Sequence, residues 1–145
     1  MRILDLDRST QIINEAFDKA RELNTAPLTV AILDKGGKLI NLQRQDGSSM
    51  MRPEIAMAKA WGAVAMGKSS RALGDDAQQH PSFVSALNTL AQGNLIPVAG
   101  GVLIKNAEGT VLGAVGISGD TSDIDEQCAI HAVEAAGLLV DEIAA

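Results

Sequence analysis

Extended runs come along this chain in adjacent pairs. Leu28–Leu33 is aliphatic and β-branched, is followed by the turn Asp34-Lys-Gly-Gly-Lys38, and gives way to Leu39–Arg44. Leu95–Ile104, a turn at Asn106–Gly109 and Thr110–Ser118 repeat the arrangement. Two runs joined by a short glycine-bearing turn form a hairpin, so the sheet is antiparallel. Helical spacing fills the rest: Leu6–Leu23, Pro53–Ser69, Ser70–Gln79, Ser82–Ala91 and a last helix over Asp123–Ile143. Helix, hairpin, helices, hairpin, helix predicts an α+β fold, a central antiparallel sheet of four to five strands covered by helices. Parallel βαβ winding fits less well, because strands that follow each other directly pair with each other. At 145 residues the chain is expected to form one domain, 1–145.

Aromatic residues are only 2% of the chain, so its core is built from Ala, Leu, Ile, Val, Met and Gly. That argues against a base-stacking surface for single-stranded nucleic acid. The net charge of -6 argues against a phosphate-backbone binder and gives no polybasic membrane signal. The single cysteine, Cys128, forms no intrachain disulfide and no cysteine-based metal knuckle. Residues 83–104 carry no charge, but Asn88, Gln92, Gly93, Asn94 and Pro97 make them buried structure rather than a membrane span. The N-terminus has no apolar h-region, and a cytoplasmic location is expected.

Charge is unevenly placed. Residues 106–145 hold eight acidic residues and neither Lys nor Arg. Four of the eight crowd into Asp120–Glu126. Ser122 or Asp123 is expected to cap the last helix, with Asp125 or Glu126 completing the box. Capping leaves the crowding unexplained, so either a basic group or a cation faces these acids. On a helical wheel Ile124, Ala132, Ala135, Leu139 and Ile143 form the buried stripe, with Asp125 on its side and His131 at its edge. Asp125 and His131 are therefore expected at a rim between helix and sheet, in one polar pocket with Asp120 and Glu126. Earlier in the chain, Arg44-Gln-Asp-Gly47 projects a guanidinium from a strand end into a turn. The helix after it is lined with small residues (Ala56, Ala58, Ala60, Gly62, Ala63), which let another backbone approach closely.

The sequence resembles the GlcG/HbpS family, the haem-degrading-domain family that includes the C-terminal domain of PduO proteins. Three pieces carry the resemblance: Val30–Leu39 continuing to Arg44–Gly47; the Ala/Gly-rich helix with Lys59-Ala60; and Ile96–Gly101 followed by Gly113–Gly119 and Asp125-Glu126. The resemblance spans essentially the whole chain and implies a profilin-like fold, self-association into homo-oligomers and a small-molecule ligand, with haem among the candidates. It departs at His131, where the family pattern has a small residue.

Ligand-binding candidates are Arg44, Asp46, Gly47, Lys59, Gly100, Gly101, Ser118, Gly119 and Glu126. Catalytic candidates are His131 and Asp125, and His131 is the candidate metal ligand. Three readings follow. In a haem or tetrapyrrole binder, His131, His80 or a Met supplies the axial ligand and Arg44, Arg52, Lys59 or Lys68 meets the propionates. In a small catabolic enzyme for an unsaturated or hydroxylated organic acid, Arg44 or Lys59 holds the carboxylate and His131 or Asp125 moves a proton. Amides at Gly100-Gly101 or Gly116–Gly119 would then face an oxyanion. In a non-catalytic assembly domain, the acidic cluster is a solvated face.

Overall fold

The computed structural model describes residues 4–141. Five helices and four strands follow in the order α1 (Leu6–Leu23), β1 (Thr29–Asp34), β2 (Leu39–Arg44), α2 (Arg52–Met66), α3 (Ser70–Gln79), α4 (Pro81–Leu90), β3 (Gly101–Lys105), β4 (Val111–Ser118) and α5 (Ser122–Ala135). The strands form one antiparallel sheet in the order β2-β1-β4-β3. Both expected hairpins form. β1 pairs with β2, β3 with β4, and β1 with β4, so the later hairpin docks beside the earlier one. The fold is α+β, as the element order requires.

Helices cover both faces. One face turns Val30, Ile32, Val102, Ile104, Val115 and Ile117 toward α1 and α5, which answer with Ile12, Ile13, Ala16, Cys128, Ala132 and Val133. The other face turns Leu33, Leu103 and Ala114 toward Ala60 and Ala63 of α2. The small-residue helix therefore packs on the sheet. A Cβ on Gly116 would overlap the Ala56 carbonyl oxygen, and one on Gly101 the Lys59 carbonyl oxygen. Glycine in the strands and alanine in the helix together let the two backbones touch.

Caps set most of the helix starts. The Asp5 carboxylate accepts from the Arg8 amide at 2.8 Å, and the Ser69 hydroxyl from the Ala72 amide. Pro53 opens α2, and Gly67, at φ 70°, closes it.

Three expectations change. β3 begins at Gly101, not Leu95. Pro97 cannot donate to a ladder, and Gly100 at φ 130° leaves extended geometry. The last helix ends at Ala135. Gly137, at φ 80°, follows it, and Leu139 then exchanges two backbone hydrogen bonds with Lys105 beside β3. Ala135 and Leu139 are consequently exposed, and the buried side of α5 is Asp125, Glu126, Cys128, Ala129, Ala132 and Val133; Ile143 lies outside the described residues. Finally, Thr121 caps α5, accepting from the Ile124 amide at 3.3 Å, in place of Ser122 or Asp123.

Candidate functional site

The acidic crowd at the start of α5 is answered by basic side chains from α2 and α3. Lys59, on the sheet side of α2, donates to the Ile117 carbonyl at 2.9 Å and to Asp125 Oδ2 at 3.2 Å. Its side chain is 3% exposed and that of Asp125 1%. Asp125 Oδ1 accepts from the Asp120 amide at 2.9 Å, so both carboxylate oxygens are engaged. Burial lowers the Lys59 amine's affinity for its proton, and Asp125 opposes that shift. Burial raises Asp125, and Lys59 opposes it. Gly100 closes the site from the sheet edge, since a Cβ there would lie 2.7 Å from Lys59 Nζ. The pair joins α2, β4 and α5 and is sealed from solvent.

Arg71 of α3 clamps the outer acids. Its Nε reaches both Glu126 oxygens at 2.9 and 3.0 Å, and its NH2 group pairs with Asp123. These hydrogen bonds, that to Asp123 foremost, hold the guanidinium firmly charged. Asp120 accepts from the Ala26 and Thr121 amides, which lower its carboxyl below the ordinary value. The alternative of a cation facing the acids is therefore not needed. No group of three or more His, Cys, Asp or Glu side chains suited to a metal occurs among the described residues.

The other expected residues fall elsewhere. Ser118 is fully buried and accepts from Arg52 at 2.9 Å, while Gly119, at φ 151°, passes against Pro27 and Leu28. The Gly101 amide is spent on the Ser70 hydroxyl at 2.7 Å and is not free for an oxyanion. Arg44 and Asp46 are exposed at the β2 end and line a shallow hollow with Phe17, Arg21 and Pro27. No ion pair joins them among the described residues, and Gly47 turns the chain at φ 86°. His131 is half-buried on the α1 side, with Nε2 3.7 Å from Glu15 Oε2. Asp120, Asp125, Glu126 and His131 thus do not share a pocket. Asp125 faces α2 beneath the surface instead of a rim, because six residues along α5 turn the two side chains about 120° apart.

A roomy cleft lies away from both expected sites. At the sheet end opposite Lys59, two turns stand side by side and are built alike. In the first, Asp34 Oδ1 accepts from the Gly36 and Lys38 amides, and Gly37 sits at φ 80°. In the second, Asn106 Oδ1 accepts from the Glu108 and Thr110 amides, and Gly109 sits at φ 80°. Between them and Leu4 opens a cleft of about 870 Å³. Ile40, Val111 and Leu112 make its wall, and Lys35 and Lys38 stand on one lip. The signal was present in the sequence: Asp34-Lys-Gly-Gly-Lys38 places two lysines in one turn of an acidic chain.

The family described as haem degrading protein HbpS-like matches residues 4–134. The chain belongs to the HbpS-like family. Within it, this HbpS-like chain is 31% identical over 125 residues to the corrinoid adenosyltransferase PduO of Citrobacter freundii, which covers 86% of this chain and 36% of that enzyme. It therefore spans about a third of the curated relative's length. It is also 31% identical over 116 residues, 80% of each chain, to an uncharacterised 15.0 kDa protein of the dhaT–dhaS intergenic region of the same organism. Among solved structures it matches the PduOC–haem complex at 27% identity and a TM-score of 0.86, over 97% of this chain and all of that one.

Proposed function

We propose that this HbpS-like chain is a small-molecule-binding protein whose ligand is a tetrapyrrole of the haem class. The observation that carries the reading is the match, over nearly the whole chain, to a fold solved with haem. The turn-end cleft supports it. Its volume of about 870 Å³ lies within the range of ligand pockets, and apolar walls with a few placed charges are their usual composition. Haem fits this cleft in part. The walls suit the ring, and Lys35 and Lys38 suit its carboxylates. Iron is not served, since no His, Cys or Met stands among the described residues of the wall.

Catalysis finds less support. Asp125 is sealed, and its hydrogen-bond partners among the described residues are the Lys59 amine and the Asp120 backbone amide. Absorption titration with haem tests the proposal. Saturable binding of one haem per chain, with a shifted Soret band, is expected, and a titration that never saturates overturns it.

Self-association is part of the same reading. Met50 and Met51, adjacent at the start of α2, are 79% and 54% exposed. Apolar side chains clustered on a surface mark an interaction site. Light scattering should give a mass of at least twice 15.1 kDa at micromolar concentration.

A further inference from the structure

We infer that the turn-end cleft holds its tetrapyrrole through carboxylates and ring face and not through a metal, so that a metal-free dicarboxylate porphyrin is a full ligand. This rests on the proposed function and narrows it to one site and one mode of recognition.

Three observations carry it. First, the cleft is preformed. Each flanking turn is pinned by one Asx oxygen accepting two amides, at 2.8 and 3.0 Å in the first and 3.0 and 2.9 Å in the second. Ligand binding therefore orders little backbone. Second, its charge is placed for an anion. Lys35 and Lys38 are exposed and form no ion pair among the described residues, while Asp34, the acid of the same turn, keeps its charge with Oδ1 held by the Gly36 and Lys38 amides. Glu108 stands on the opposite lip. A dicarboxylate therefore enters with its acid groups toward the β1–β2 turn and its apolar edge against Ile40, Val111 and Leu112. Third, both histidines stand elsewhere. His80 is exposed at the junction of α3 and α4, and His131 faces Glu15 on the α1–α5 seam. Neither lines the cleft.

The test compares haem with protoporphyrin IX on the full chain, by absorption for the first and fluorescence for the second. Dissociation constants within about threefold of each other are expected. Lys35→Glu/Lys38→Glu should weaken both ligands at least tenfold, and the milder Lys35→Gln/Lys38→Gln by less. Circular dichroism on each variant confirms that these exposed turn positions leave the fold intact. His80→Ala and His131→Ala should leave both affinities unchanged. Tight haem binding with no protoporphyrin binding, or loss of haem on either histidine substitution, overturns the inference and leaves the proposed function standing. Equal binding of both ligands that ignores the lysine variants overturns the site. Failure of both ligands to bind overturns the proposed function with it.

Discussion

Truncating Lys59 to methionine leaves the Asp125 carboxyl buried with the Asp120 amide as its one remaining hydrogen-bond donor. Removing one partner of a buried ion pair typically costs about 3–5 kcal/mol, because the other charge stays desolvated. Lys59→Met should therefore destabilise by that amount in urea unfolding. The double variant Lys59→Met/Asp125→Leu should recover most of the loss, since burial opposes the charged form of both groups and the pair's net contribution is small. Asp120 behaves in the opposite way. The Ala26 and Thr121 amides lower its carboxyl below the ordinary value of 3.8 in the folded chain. A lowered folded value means stability that is present above the unfolded value and is lost as pH falls through the folded one. Asp120→Asn should thus lower stability at neutral pH and flatten the acid limb of the stability curve. An unchanged acid limb in that variant would assign the acid loss to other carboxylates.

α2 and β4 meet backbone to backbone, and a glycine at that contact differs in kind from one in the β3–β4 turn. A Cβ on Gly116 would collide with the Ala56 carbonyl oxygen, an atom that moves only if the whole helix moves. A Cβ on Gly109 would meet nothing within 4 Å, and the strain there comes only from φ 80°. Gly116→Ala should cost about 3 kcal/mol or more by overpacking, and Gly109→Ala about 1–2 kcal/mol from backbone strain. Thermal unfolding of the two variants checks the order. Local chemistry made the elements readable: Asp-Lys-Gly-Gly-Lys and Asn-Ala-Glu-Gly-Thr turns fix the hairpins, and Pro81 and Pro53 mark helix starts. The stop of α5 was marked by Gly137, but the course beyond it was not readable, because Leu139 is drawn into a bridge with Lys105, 34 positions before it in the chain. Lys59 and Asp125 were legible as special residues, but their pairing was not. It depends on α2 crossing the sheet at Gly101 and Gly116, and spacing along a chain says nothing of that. The same holds for the cleft, whose two turns lie some 70 positions apart and become neighbours only because β1 pairs with β4.

An anionic ligand approaching this molecule meets opposite fields at long and short range. The chain carries a net charge of -6, and its acids are concentrated on the α5 side of the sheet, whereas Lys35 and Lys38 form a local positive lip on the cleft. At about 0.01 M salt the screening length is about 30 Å, so the ligand feels the whole acidic molecule as it approaches. At about 0.1 M it falls to about 10 Å, which screens the distant acids but not a carboxylate already within hydrogen-bond reach of a lysine. Raising salt across this range should therefore speed association of a dicarboxylate porphyrin while leaving its dissociation rate nearly constant. That is the reverse of binding steered by complementary net charge, in which salt slows association. Stopped-flow fluorescence with protoporphyrin IX separates the two. An association rate that falls with salt would mean that the lysine lip governs the approach as well as the bound state. In the Lys35→Gln/Lys38→Gln variant the rise with salt should persist or steepen, because the repulsion it relieves comes from the rest of the molecule.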